Sequence, residues 1–214
     1  MIQALAKLSA VVIGTLVVTG MALTVVRWAG LRQQFVAPKH PWFELNQWKL
    51  VDLEPGRTCL AERLAQAETT DIVVIRTFQK ERAWWVDCPA KQKLTEFLQA
   101  HPRPHYLIHV DTKDTVGLEP LAEELKAFDS QMSFGIWSST QSAARFLRKT
   151  APNWLFAADA ASLLRLHLFA SLGVETAFEF WPDFVIEDPK DPLTKLTARE
   201  REELDRRKKP IISH

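Results

Sequence analysis

From residue 8 to residue 26 the chain reads LSAVVIGTLVVTGMALTVV, nineteen positions without a charged side chain. At about 1.5 Å per residue, a helix of this length spans about 29 Å, the depth of a bilayer's hydrocarbon core. The run is apolar on every side and lacks the polar stripe that a helix on a soluble core presents to water. Arg27 and Trp28 follow directly, without the small-x-small site and polar continuation of a cleaved signal peptide. The pattern predicts an uncleaved single-pass membrane anchor within residues 1–30, engaging the lipid bilayer through residues 8–26. The rival is a buried helix of a soluble protein. Lys7 precedes the run while Arg27, Arg32 and Lys39 follow it; this favours a cytoplasmic domain, although so short an N-terminal tail leaves the side open.

Residues 31–47 form a polar juxtamembrane stretch containing Trp and Pro, and from 48 to 214 short apolar runs alternate with amphipathic ones. KLVDL (49–53), DIVVIRTF (71–78), AWWVD (83–87), HYLIHVDT (105–112), SFGIWS (133–138), NWLFAA (153–158), DFVIED (183–188) and KPIIS (209–213) read as strands. Helical spacing occupies 58–68, 91–100, 117–127, 140–149, 160–171 and 191–207. Strand, helix, strand at this interval predicts parallel βαβ units in one α/β domain. Periodicity does not separate a doubly wound sheet from a (β/α) barrel. No Gly-rich turn of the dinucleotide or P-loop type follows any run, which favours the barrel.

The 214 residues, 47% of them apolar, suffice for one sizeable core. A net charge of +1 with acids and bases interspersed gives no basic face, so nucleic acid is not an expected partner. Pairing of Cys59 with Cys88 would place the domain in an oxidising compartment; with no Cys-x-x-Cys and no Cys/His cluster, the two do not point to zinc. The charge run at 198–208 reads as the solvated face of the last helix. In VETAFEFWPD (174–183), Phe178, Phe180 and Trp181 are placed either to close the wall of the domain or to dip into the headgroups of a nearby bilayer.

Several stretches share an order with a known family. LTEFLQAHPRPHYLIHVDTKD (94–114) ends a strand on Asp111-x-Lys113, and SFGIWSSTQSAARFLRKTAPN (133–153) sets a Ser-Phe strand before a helix and an Arg…Ala-Pro segment. SLLRLHLFASLGV and DFVIED follow, and TCLAERLAQAETTDIVVIRTFQKERAWWVDCP (58–89) precedes them. In order and spacing these resemble the glycerophosphodiester phosphodiesterase family over roughly three quarters of the chain.

The resemblance implies a TIM-type (β/α) barrel whose carboxylates hold Ca²⁺ or Mg²⁺ and whose two histidines act as acid and base on a phosphodiester. Asp111 and Lys113 match its acid-x-Lys motif, and strand alternation points both to one side, toward the barrel mouth. Elsewhere the chain departs from the pattern. Thr58 matches the end of Glu-Asn-Thr but follows Gly56 and Arg57; Val74 and Arg76 stand at Glu-x-Asp; Asp87 and Cys88 stand at the His-Asp pair before Pro89. The opening histidine falls either on His40 or on Asp52 in KLVDL. His109 shares a face with Asp111, either as a substitute acid/base or as a hydrogen-bonded core histidine. Glu187 and Asp188 are either fresh ligands or turn caps beside Pro189.

The candidate catalytic residues are therefore Asp111, Lys113, His109, Asp87 and His40, with Asp111 as the residual metal ligand. Arg76 and Lys113 form a candidate phosphate-binding pair, unless Arg76 simply pairs with Asp111 or Asp87. One carboxylate among cations should not hold a hard divalent ion, so no cofactor is expected; Ca²⁺ or Mg²⁺ would be required if hydrolysis persists. The family's last βα unit has no counterpart after KPIIS, so the expected barrel is incomplete. The expectation is a membrane-anchored, degenerate phosphodiesterase-like domain with a phosphate-headgroup ligand. Two alternatives stand beside it: an active phosphodiesterase with substituted residues, and a non-enzymatic membrane interaction protein that docks through the open barrel edge.

Overall fold

The structure, a computed structural model, describes residues 2–213 except 38, 46–47, 54–63, 65, 82, 89–90 and 113–114, with side chains described from residue 12 onward. Cys59, Lys113 and most of the helix expected at 58–68 lie outside the described residues.

One helix, α1 (Ile2–Leu31), carries the N-terminal apolar run. Over Val12–Leu31 its mean hydropathy is 1.7 and none of it is buried, so it is long and apolar enough to cross a membrane and is not a core helix of the domain.

All eight apolar runs become strands: β1 (Leu50–Asp52), β2 (Ile72–Lys80), β3 (Ala83–Val86), β4 (His105–Val110), β5 (Ser133–Ser138), β6 (Leu155–Phe156), β7 (Val185–Glu187) and β8 (Ile211–Ser213). β1, β2, β4, β5 and β6 are parallel neighbours in that order, and β7 runs parallel to β8. A parallel bridge between Ala157 and Phe184 links the two groups, reinforced by Asp183 N–H donating to Phe156 O at 2.8 Å and Ala158 N–H donating to Phe184 O at 2.9 Å. Parallel strands thus succeed one another in chain order from β1 to β8. Only β3 breaks the rule, folding back antiparallel on β2 with Thr77 opposite Val86. Two residues separate these runs, whereas a parallel crossover needs about a dozen.

Helices α2 (Leu94–Ala100), α3 (Leu118–Lys126), α4 (Gln141–Thr150), α5 (Ala160–Ser171) and α6 (Ala198–Arg206) fill the connections. Thr140 and Asp159 cap α4 and α5 by accepting from the N–H groups of Ala143 and Ser162. The last helix starts at Ala198 rather than near 191, because Thr197 and Glu200 form a reciprocal capping box there.

Alternation along the strands builds two apolar layers. Val73, Ile75, Tyr106, Ile108, Phe134 and Ile136 pack with Phe97, Leu121, Leu125 and Leu147 from the helices. Ile72, Val74, Leu107, Leu155, Phe184, Ile186 and Ile212 gather instead around Trp42. This second cluster draws on β2, β4, β6, β7 and β8. Trp42 projects from a 3₁₀ turn (Pro41–Glu44), is wholly buried, and donates from Nε1 to Ser133 Oγ at 2.9 Å. Its ring occupies the space left by Gly135, where an added Cβ would lie 2.3 Å from it. The packed unit therefore begins before residue 48, inside the stretch expected to be juxtamembrane, since burying an indole contributes more than leaving it in water.

The charge run of α6 is not simply a solvated face. Glu200, Glu203 and Arg207 are buried. Glu203 accepts from Arg206 Nη2 at 2.6 Å and from Arg207 Nε, while Arg207 Nη2 donates to Glu175 O at 2.8 Å. Buried charges survive here because each has a charged or carbonyl partner.

The same region grips the end of α1. Thr176, in a second 3₁₀ turn (Glu175–Ala177), donates from Oγ1 to Arg27 O at 3.1 Å, and Arg206 Nη1 donates to Gly30 O at 3.0 Å. Gly30 is needed at this crossing, because a Cβ there would lie 2.5 Å from Thr176 O.

Candidate functional site

The parity that sends Leu50, Ile72, Val74 and Leu107 to the Trp42 cluster sends Asp52, Arg76 and His109 to the same face, one step nearer the carboxyl ends of the strands. Arg76, His109 and Trp137 are register partners across β2, β4 and β5. A polar layer therefore caps an apolar one. Arg76 Nη2 donates to Asp52 Oδ2 at 2.9 Å, so the expected pairing of Arg76 with Asp111 or Asp87 gives way to a partner on the neighbouring strand. Arg76 Nε is buried without a hydrogen-bond partner among the described residues.

The His109 ring lies edge-on to Trp137, with centroids 4.6 Å apart. Burial first, and then the Arg76 guanidinium, lower its pKa below the ordinary histidine value; Asp111 and Asp52 pull weakly the other way. Burial and the neighbouring cation thus favour the neutral imidazole over the charged one. Asp111 is exposed just past β4, where Ser139 Oγ donates to its Oδ1 at 3.1 Å. Asp87 is exposed too, and its backbone N–H donates to Arg76 O at 2.8 Å. Arg76, His109, Asp111 and Asp87 therefore collect at one end of the strands.

His40 does not join them. It caps the Pro41–Glu44 turn, where Trp42 N–H donates to its Nδ1 at 3.3 Å, and its charge environment includes His105 at the opposite, amino end of β4. Burial, with a smaller effect from His105, lowers its pKa to about 4. Glu187 accepts from Leu196 N–H at 3.1 Å and from Arg201, and Asp188 Oδ1 accepts from Lys190 N–H at 2.9 Å, so both are engaged in holding turns. Cys88 is a buried free thiol.

Among the described residues no three His, Cys, Asp or Glu side chains are grouped to hold a metal. The carboxylate best enclosed at the strand ends, Asp52, faces a guanidinium, and a cation at that distance opposes a second one. What the layer offers is a fixed guanidinium, a neutral imidazole and an indole, which suit an anion carried on an organic body. Reading the sequence missed the partnership of Asp52 with Arg76, and with it Trp137 and Ser139. The parity of KLVDL against DIVVIRTF was the available signal, but it needs the register of the two strands.

No family model and no curated protein matches the chain.

Proposed function

We propose that this is a membrane-anchored domain of the glycerophosphodiester phosphodiesterase type, an incomplete TIM-type barrel that binds a phosphate-bearing group without hydrolysing it efficiently. The observation that carries the reading is the 2.9 Å contact between Arg76 and Asp52, which puts a cation where metal-dependent chemistry requires anionic oxygens. Parallel strands in chain order, with β3 alone folded back, and a cluster shared by β2, β4, β6, β7 and β8 support the barrel, and the unburied apolar α1 supports the anchor. Arg76 gives one N–H to Asp52 and keeps others for a phosphate oxygen.

The full chain in detergent, assayed on a chromogenic phosphodiester with Ca²⁺ or Mg²⁺, is expected to give no metal-stimulated turnover. It should bind glycerol phosphate, more weakly in Arg76→Lys, which keeps the charge but loses the planar fork. Metal-dependent turnover abolished by Asp111→Ala would instead make the chain an active phosphodiesterase.

A further inference from the structure

The strand ends opposite to the Arg76 layer carry a second, unrelated concentration of charge. Arg145, Arg148 and Lys149 from the last turns of α4 and Arg165 from α5 line a cavity of about 690 Å³ together with Phe169, Phe178 and Trp181. Glu179 is the one acid among the lining residues. Arg148 is structural: it pairs with Asp183 and stacks over Phe156 at 4.7 Å and Trp181 at 5.1 Å. Arg145, Lys149 and Arg165 are exposed and make no ion pair or hydrogen bond among the described residues. Beside them α5 and its end present Leu164, Leu168 and Leu172 to solvent, one helical turn apart, at 62%, 54% and 58% exposure.

What this face meets follows from where α1 ends. An adjoining cavity, also about 690 Å³, shares Arg148, Phe178, Glu179 and Trp181 with the first and runs to Gln33 and Phe35, just past the last turn of α1. That turn is fixed to the Glu175–Ala177 turn by the Thr176 and Arg206 hydrogen bonds. Trp28, with Arg32 stacked 3.5 Å over its ring, marks the polar boundary of the apolar helix. The basic and aromatic face is therefore continuous with the point at which the helix leaves the apolar layer.

We propose that this face is a docking surface for anionic phospholipid headgroups of the bilayer that holds α1. The phosphate of a headgroup sits between Arg145, Lys149 and Arg165, while Leu164, Leu168 and Leu172 enter the acyl boundary. Cations without protein partners complement a negative surface, and leucines at helical spacing beside them complete an interfacial amphipathic element. The inference rests on the anchored reading of α1 and is independent of any chemistry at Arg76.

The test reconstitutes the full chain in vesicles of phosphatidylcholine alone or mixed with phosphatidylglycerol and follows amide exchange of residues 164–181. Retention in the vesicles through an alkaline carbonate wash reports on the anchor, and the exchange reports on the face. Phosphatidylglycerol is expected to slow exchange there. Each of Arg145→Gln, Lys149→Gln and Arg165→Gln should raise the phosphatidylglycerol content needed for half the effect by about fivefold. Unchanged exchange in β4 shows that the variants remain folded. Equal exchange in the two vesicle types, protection that survives the triple variant, or equal protection by inorganic phosphate in phosphatidylcholine vesicles would overturn the proposal. Loss of the chain in the wash would overturn the anchor, and the docking surface with it.

Discussion

Arg76 reaches from β2 to the Asp52 carboxylate on β1 at 2.9 Å, and the Asp52 side chain is only 10% exposed. A carboxylate so enclosed depends on its counter-ion. Arg76→Ala is expected to destabilise the domain by about 2 kcal/mol, because it removes a charge-assisted hydrogen bond from a largely enclosed carboxylate. The double variant Asp52→Leu/Arg76→Leu should recover most of that loss. Denaturant midpoints of the native chain, Asp52→Leu, Arg76→Leu and the double variant give the coupling, and additive losses would show that the pair is not a unit.

Gly135 lies under the Trp42 ring with no room for a methyl group. Gly135→Ala should cost about 2 kcal/mol through overpacking, since Trp42 is fully enclosed and tied to Ser133. Thermal unfolding of the two proteins tests this, with near-UV circular dichroism following the displaced indole.

At Gly30 a side chain would strike the Thr176 carbonyl. Gly30→Val should therefore release the end of α1 from the Glu175–Ala177 turn while leaving the sheet intact. Faster amide exchange at 175–178 with unchanged exchange in β4 is the expected signature. Equal exchange at 175–178 in both proteins would mean that the contact holds nothing.

His40 and His105 are both held neutral, chiefly by burial, with the pKa of His40 lowered to about 4. A histidine whose folded pKa is depressed contributes stability that is complete above its unfolded value of about 6.5 and is lost as pH falls toward the folded one. The denaturant midpoint should fall between pH 6.5 and pH 4, and fall less in His40→Asn, which keeps an acceptor for Trp42 N–H without titrating. Parallel profiles would remove His40 as the cause.

His167 has the opposite sign. Burial alone would lower its pKa, but Leu193 O accepting from Nε2 at 2.7 Å and Glu200 accepting from Nδ1 at 2.6 Å outweigh it and raise the value. In Glu200 the upward push of burial is outweighed by Thr197 and His167, and its pKa is lowered. The stability from His167 is complete below about pH 6.5 and fades as pH rises through its raised value. That from Glu200 is present above about pH 4.5 and fades as pH falls through its lowered value. The pair therefore contributes most between those limits, and His167→Gln should lower stability there and remove its fall above about pH 6.5. Only the separate variants resolve the two histidine effects.

Strand and helix positions were legible because they depend on periods of two and of about 3.6 along the chain, and the cap residues Thr140, Asp159 and Thr197 stand where those periods change. Anything set by distant partners was not. That Arg76 chooses Asp52 follows from the β1–β2 register, and that His40 falls at the amino ends of the strands follows from the burial of Trp42 beneath Gly135. The acids of α6 looked solvated because Arg207 and His167, which satisfy them, are brought in by packing against the Glu175–Ala177 turn and α5. Alternation predicts that His109 shares a face with Asp111, but the presence of Asp52 and Arg76 on that face, and the lowered pKa that burial and Arg76 bring, depend on the register of neighbouring strands.

The grip of Thr176 and Arg206 on the last turn of α1 gives the domain a fixed up and down. His105 and His109 are separated by about 13 Å of strand, which already exceeds the roughly 8 Å over which salt screens charge in the cell. On the anchored reading proposed above, the Arg76 layer lies more than a screening length from the headgroups. On that reading, a molecule reaching it would arrive by diffusion through water and not sideways as an intact lipid.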